Sequence, residues 1–289
     1  MKSICTAKCL VHYDNLWTFE LTYPRYIHSE FMTHRMFSRN ASSSRAIPVS
    51  KVIQQVVRNP VIPPKVYMNK AGMVGDVEAG ATDAEAFRDL WIYAATNAVK
   101  TAECMAELGI HKQHINRILE PFQFIHVIVT ATEWDNFFAL RLAPDAQPEM
   151  QDLANAIYNE MHKFKDKEFG YITSYDDDSL CSVLSGDSTL ITVPYITMDD
   201  CELLGDDYDF LTIMKISAAR CARVSYNNHD GSKPDIHKDL ELFERLYKGG
   251  HMSPLEHTCL RNIDYVQSAN LMGWESLRYL LENNKAELN

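Results

Sequence analysis

His34-Arg35-Met36-Phe37-Ser38-Arg39-Asn40-Ala41-Ser42-Ser43-Ser44-Arg45 is the stretch on which the reading of this chain turns. It carries four arginine or histidine side chains and four serines in twelve residues. A core helix would not hold so many polar groups, and a flexible linker has no use for the arginines. The composition suits an anion. A guanidinium offers a planar fork of donors to phosphate oxygens, and serine hydroxyls and backbone N–H groups fill the gaps. A solvated serine-rich loop is the plain alternative. Another is a helix N-cap cluster at Ser42, Ser43 and Ser44, itself compatible with phosphate, which helix N-termini attract.

Spacing sharpens the reading. His34-Arg35, seven residues, Ser43 and then Arg45 resemble the signature of the flavin-dependent thymidylate synthases: Arg-His-Arg, seven residues, Ser, with an inner Ser and Asn and a trailing Arg. Ser38 and Asn40 stand at the inner positions. Three positions depart from the pattern, with Thr33 for the first Arg, Ala41 for a Glu and Ala46 for an aromatic residue. A second match lies near the other end. Cys221-Ala222-Arg223-Val224-Ser225-Tyr226, a helical stretch, and His251-Met252-Ser253-Pro254-Leu255-Glu256-His257 resemble the family's Ala-Arg-Val-Ser-aromatic segment and its Gly-His-x-Thr/Ser-Pro-x-Glu-His turn. The family places these before the arginine motif; here they follow it. The chain thus resembles a divergent, circularly permuted member of phage type, cut just after His257. Such a cut requires Leu260 to lie near Leu16, with residues 166–210 running across the outside as the new connection.

A third match is Asn136-Phe137-Phe138-Ala139-Leu140-Arg141, similar to the family's Asn-Phe-x-x-Leu-Arg; Gln147 and Glu149 follow in register, while Asp145 replaces a His. Arg117-Ile118-Leu119-Glu120-Pro121 resembles an Arg-x-x-Leu-Pro segment with Glu120 in place of Leu. The resemblance covers most of 16–164 and 213–260. It leaves unexplained 166–210, an acidic connecting insertion, and 261–289, a C-terminal extension of a single catalytic domain.

The resemblance implies an α/β (α+β) fold with a central antiparallel sheet flanked by helices, in permuted order. It implies transfer of a one-carbon unit from methylenetetrahydrofolate to C5 of dUMP, giving dTMP. No side chain donates a hydride, so a cofactor must: reduced FAD, reloaded by NADPH. Arg141 is implied as the catalytic cation at the pyrimidine edge, where a fixed charge stabilises a developing anion. Read without the family it would be a helix-surface ion pair to Asp135 or Asp145. Substrate contacts are implied for Glu30, Ser42, Ser43, Ser44, Arg45 and Arg117. Flavin contacts are implied for Thr33, His34, Arg35, Met36, Ser38, Asn40, Thr130, Thr132, Asn136, His251 and Ser253. Ser43 is assigned to binding, since a serine nucleophile needs an adjacent base and spacing identifies none. Glu30 stands where the family commonly has Gln. A carboxylate only accepts hydrogen bonds, whereas an amide also donates. Methylation or hydroxymethylation of a cytosine nucleotide such as dCMP is therefore the alternative substrate reading. A flavin-less nucleotide-binding paralogue is an alternative of another class, as is a metal-dependent nucleotide hydrolase. The contiguous aspartates at 176–178 are poorly spaced for metal ligands, and no metal is expected. The family also implies a homo-oligomer, a tetramer, because several subunits build each flavin site.

Composition bounds the rest. The chain has 289 residues, 46% hydrophobic, with net charge −11. That balance argues against a nucleic-acid or membrane-surface partner. Seven cysteines without a CxxC pair read as reduced thiols in a cytoplasm, the host's if the source is viral. The periodicity predicts two strands over 2–23 turning at Asp14-Asn15, a helix over 27–37 and a long helix over 83–108 capped by Asp83, with Phe87, Leu90, Trp91, Ala94 and Ala98 as its apolar stripe. It also predicts helices over 111–119, 135–142, 149–164, 213–224 and 235–248, a strand over 124–134 and an amphipathic tail over 274–288.

Overall fold

The computed structural model describes residues 3–72, 75–164, 179–184, 190–204, 209–224, 235–283 and 285. Chain order begins with β1 (Thr6–Tyr13) and β2 (Leu16–Pro24), a 3-10 turn (Arg25–Ile27), α1 (His28–Phe31), β3 (Ser38–Ala41), α2 (Val49–Arg58) and α3 (Ala81–Glu107). Then come α4 (Lys112–Leu119), β4 (Phe124–Ala131), α5 (Asp135–Arg141), α6 (Pro148–His162), β5 (Ser179–Leu184), β6 (Leu190–Thr197), α7 (Met198–Leu204), α8 (Phe210–Arg223) and α9 (Ile236–Lys248). A 3-10 turn (Ser253–Glu256), β7 (Cys259–Arg261), β8 (Gln267–Ser268), β9 (Leu271–Met272), β10 (Trp274–Ser276) and α10 (Leu277–Glu282) complete it.

Every described strand pairing is antiparallel. One four-stranded sheet has the order β1-β2-β4-β3, a second the order β10-β7-β6-β5, and β8 and β9 form a ribbon. The first hairpin turns where expected, with Asp14 at φ 55°, a left-handed conformation that Asp tolerates better than most residues. Alternation sets its faces. Phe19, Leu21 and Tyr23 of β2, with Ile125, Val127 and Val129 of β4, enter a core closed by Phe137 of α5 and Leu153 and Ile157 of α6. Leu16 and Ile128 face the other way and meet Cys221, Cys259, Leu271 and Trp274 of the C-terminal half. A third cluster joins β6, α8, α9 and α10, and a fourth joins α2, α3 and α4.

The ends required to meet by a permuted order do meet. Arg261 Nη2 donates to Asp14 Oδ2 at 2.6 Å, and Leu16 and Cys259 share one cluster. The expectation that 166–210 crosses the outside fails at Leu190–Thr197. This strand lies between β5 and β7, and Ile191 and Val193 are wholly buried. The aspartates at 176–178 and 206–207, and Ser225 and Tyr226, lie outside the described residues.

Two further expectations are corrected. The helix predicted over 27–37 is only His28–Phe31. The N–H groups of Thr33, His34 and Phe37 fold back in tight turns onto the carbonyls of Glu30, Phe31 and His34. Arg39 Nη1 takes the Phe31 carbonyl at 3.1 Å, and pairing with β4 then pulls Ser38–Ala41 into an extended edge strand. The long helix begins after Gly80, with Asp83 in its first turn, and its buried stripe is Ala95, Val99 and Ala102. These small and β-branched residues allow close packing on Val52, Val56 and Ile115. Trp91 reaches inward to donate to the Val61 carbonyl at 2.7 Å, whereas Leu90 is 69% exposed.

Candidate functional site

Two groups of side chains collect the candidate residues. The first forms where the end of α5 meets the turn after α1. Arg141, the last residue of α5, donates from Nη1 to Glu30 Oε1, from Nε to His34 Nε2 at 2.9 Å and from Nη2 to Thr33 Oγ1 at 3.4 Å. The expected partners Asp135 and Asp145 are not used. His34 is buried, with Phe137 edge-on at 4.9 Å and Phe37 stacked at 5.7 Å. Burial, with Arg141 and Arg39 nearby, pushes the imidazole down to about 4. At neutral pH it is uncharged, which lets Nε2 accept from Arg141. Arg35 and Met36 point outward in the same turn.

The second group lines a cavity of about 430 Å³ between the two matched halves of the sequence, within the roughly 300–1,000 Å³ common for ligand pockets. Asn40, Ala41, Ser43, Arg45 and Ala46 come from β3 and the loop behind it, Gln113 from α4, Ala222 from α8, Leu246 from α9, and His251, Ser253 and Pro254 from the turn after α9. Ser253 Oγ donates to Asn40 Oδ1 at 3.2 Å, and Asn40 Nδ2 donates to the Cys221 carbonyl at 3.0 Å. Asn40 thus links the two halves at the cavity. None of the four residues of the Arg141 group lines this cavity. The three departures from the family pattern fall on these two places: Thr33 touches Arg141, while Ala41 and Ala46 are cavity wall.

The serines divide sharply. Ser42 continues the edge strand: its N–H donates to the His126 carbonyl at 2.9 Å, and its hydroxyl accepts from His126 N–H at 3.2 Å. Ser44 is buried and donates to Glu120 Oε1 at 2.7 Å. Ser43, between them, faces the cavity. None caps a helix, since α2 starts after Pro48. The loop is braced by residues that the motif did not name. Asn116 Nδ2 donates to the Ser44 and Ile47 carbonyls at 2.7 and 2.9 Å, Lys112 Nζ to the Ala46 carbonyl at 2.8 Å, and Arg25 pairs with Glu120 at 3.4 Å. Glu120, an oddity in the sequence pattern, is the acceptor that fixes the loop. The signal for it was its place one helix turn after Asn116.

The other candidates are scattered. Arg117 is exposed on α4, four residues beyond Gln113 and outside the cavity wall. Asn136 is exposed on α5. Ser38 lines a smaller cavity of about 240 Å³ with Glu256 and Arg278. Thr130 is wholly buried and joins Thr18 at 2.8 Å and His257 Nδ1 at 3.0 Å. Thr132 accepts from Met272 N–H at 3.0 Å. These two threonines tie the first sheet to the C-terminal half. Among the described residues no group of acidic, histidine and cysteine side chains is placed to hold a metal, and no helix is long and apolar enough to cross a membrane.

Among curated proteins none matches the chain by sequence. Solved structures resemble part of it, three of them as follows. The UMP/dUMP methylase PolB from Streptomyces cacaoi bound with 5-Br UMP is 16% identical, with 51% of this chain and 69% of that one covered and a TM-score of 0.41. The same methylase bound with 5-Br dUMP is 19% identical, covering 51% and 67% at a TM-score of 0.43. Thymidylate Synthase X from Helicobacter pylori with FAD and dUMP is 18% identical, covering 50% and 66% at a TM-score of 0.36. Such distant likenesses leave the assignment to sequence. The model of the Thy1 family, thymidylate synthase complementing protein, matches residues 15–164, that is 150 of the 289. This span holds β2, the arginine motif, the braced loop and Arg141, and the chain belongs to that family.

Proposed function

We propose that the chain is a flavin-dependent enzyme that transfers a one-carbon unit from methylenetetrahydrofolate to C5 of a deoxypyrimidine monophosphate. The family makes dUMP the first substrate to consider, with dTMP as product, and dCMP the alternative. The two share phosphate, sugar and C5, and differ at ring position 4. The observation that carries the reading is the shared placement of Ser43, Arg45, His251 and Ser253 around one cavity, although they come from motifs some 200 residues apart.

The residues fit an anionic, ring-bearing group. Arg45 in the cavity wall, and Arg35 and Arg117 outside it, make no ion pair among the described residues, so their donors are available to phosphate. Ser43 adds a hydroxyl, and Ala222, Leu246 and Pro254 an apolar wall. Bound reduced FAD would supply the hydride that converts the transferred methylene to methyl, while C5 loses its proton, tetrahydrofolate leaves, and NADPH restores the flavin. Arg141 orients the ring edge, held in place by neutral His34. Arg45 and Ser43 hold the phosphate, and the Asn40–Ser253 bond keeps the two motif segments at a fixed distance.

A homo-oligomer, a tetramer in this reading, completes the site. The Arg141 group and the cavity are separate within one subunit. Met32, Met36 and Leu140, beside Arg141, are 44%, 41% and 52% exposed, and Leu90 and Tyr93 on α3 are 69% and 67% exposed. Exposed large apolar side chains of this kind suit an interface between subunits. Light scattering tests the assembly: a fully active monomer would contradict it. The function itself is tested by adding FAD, NADPH, methylenetetrahydrofolate and each nucleotide to the purified protein. Flavin uptake and a C5-alkylated product are expected; a protein that takes up no flavin would sink the reading.

A further inference from the structure

The proposed function places Arg141 at the edge of the pyrimidine, and its partner then bears on which pyrimidine is taken. Arg141 Nη1 donates to Glu30 Oε1. Both groups are held. Arg141 also rests on His34 at 2.9 Å, and its side chain is only 16% exposed. The backbone of Glu30 is locked by two bonds to its carbonyl, from Thr33 N–H at 3.0 Å and Thr33 Oγ1 at 2.7 Å. The Glu30 carboxylate is 37% exposed, so the pair offers its edge to an incoming ring. We infer that Glu30 makes this edge selective for a 4-aminopyrimidine, so that the nucleotide is a cytosine rather than a uracil monophosphate; the inference rests on the proposed function above.

Two arguments support it. The first is charge. A lone guanidinium favours a ring that ionises at N3. The guanidinium here already has a carboxylate against it, and an N3 anion would face that carboxylate as a like charge. Cytosine brings no such demand, because its N3 is a bare acceptor in the neutral ring. The second is hydrogen-bond pattern. An ionised carboxylate only accepts and a guanidinium only donates, so the pair presents an acceptor beside a donor. Cytosine answers with an amino donor at C4 beside the N3 acceptor. Uracil in that register sets its O4 against a carboxylate oxygen, two acceptors with no proton between them. Sliding by one position would give N3–H to Glu30, but a carboxylate is a far weaker base than the N3 anion and leaves that proton in place, so the ring does not ionise in that register. A hydrogen bond from the amino group to Glu30 instead pushes electron density through the ring towards C5.

Calorimetric titration of the FAD-loaded enzyme with dCMP and with dUMP tests the inference, alongside Glu30→Gln, whose amide can donate to O4. Wild type is expected to bind dCMP about tenfold or more tightly over dUMP, the cost of leaving an acceptor unpaired. Glu30→Gln should narrow or reverse that ratio while keeping the visible flavin spectrum, which shows that the variant is folded. Equal affinity or a dUMP preference in a flavin-loaded wild type would overturn this inference alone. An unchanged ratio in Glu30→Gln would overturn the role of Glu30. Failure of both nucleotides to bind would overturn it together with the function beneath it.

Discussion

The Arg141 group and the Ser43–Arg45 loop use the same residue types in opposite ways. Arg141 is satisfied on three sides by Glu30, Thr33 and His34. Arg45 is exposed with no ion pair among the described residues, while the backbone that carries it is pinned by Asn116, Lys112 and the Ser44–Glu120 bond. In one place the side chain is fixed; in the other the backbone is fixed and the side chain is left open. A fixed guanidinium reads the shape of a ring edge, because its donors cannot reorient. An open one on a rigid loop suits phosphate, a strong acceptor that can itself organise a flexible fork.

This contrast breaks most easily at Arg141. Arg141→Ala should lower kcat by about 10²–10³-fold, the usual cost of removing a preorganised charge from a reaction centre, while the flavin spectrum persists. Wild-type turnover in that variant, measured by product formation, would show that the fixed cation is a structural ion pair. At the other place Arg45→Ala should leave kcat near wild type and raise the nucleotide KM by about tenfold or more, as for loss of a hydrogen bond to a charged group. A fall in kcat with KM unchanged would instead put Arg45 on the reacting atoms.

The serines sharpen the comparison further. Ser43→Ala should weaken nucleotide binding with little effect on melting. Ser44→Ala should do the reverse and cost about 1 kcal/mol of stability by removing its hydrogen bond to Glu120. Calorimetry and thermal melts on the two variants separate the roles, and identical effects would erase the distinction. Acid should loosen the fold at its buried histidines, His34 among them. Burial pushes His34 and His28 down to about 4 and His257 to about 3. The unfolded chain binds those protons near pH 6.5 and the folded chain does not, so stability is complete above about pH 6.5 and falls as pH drops towards 4. Urea midpoints measured across that window check the sign. Protonation of His34 also ends its role as acceptor for Arg141, so His34→Gln should flatten part of the slope. The smallest effect is expected at the meeting of the chain's two segments. Asp14→Asn removes a partly exposed ion pair to Arg261 and should cost about 1 kcal/mol or less.

Much of this architecture was legible in sequence. The Asp14-Asn15 turn and the long helix ending at 108 followed from turn chemistry and periodicity, and the antiparallel sheet with its ends together from the resemblance and its swapped motif order. What escaped was set by tertiary contacts. The helix after Ile27 stops at Phe31 because β4 claims 38–41 as an edge strand, and no local propensity reports that claim. Leu90 fitted the helical stripe by spacing, but α3 docks on an adjacent face, through small residues at 95, 99 and 102 with Trp91 and Ala98, which turns Leu90 outward. The motif named Ser42, Ser43 and Ser44 as equals. Only the fold shows that the neighbours of Ser43 are spent on the strand and on Glu120. Conversely Glu30 was visible as a charge difference, but its contact with Arg141 was not, since the two lie more than a hundred positions apart.

The central claim is that this family member uses flavin to alkylate C5 of a deoxypyrimidine monophosphate. Mass analysis of the nucleotide after incubation with methylenetetrahydrofolate and NADPH, with and without FAD, tests it most directly. The account predicts one added carbon unit at C5, formed only when FAD is present and lost in Arg141→Ala. Unaltered dUMP and dCMP in the presence of FAD, or alkylation that proceeds as well without it, would contradict the account.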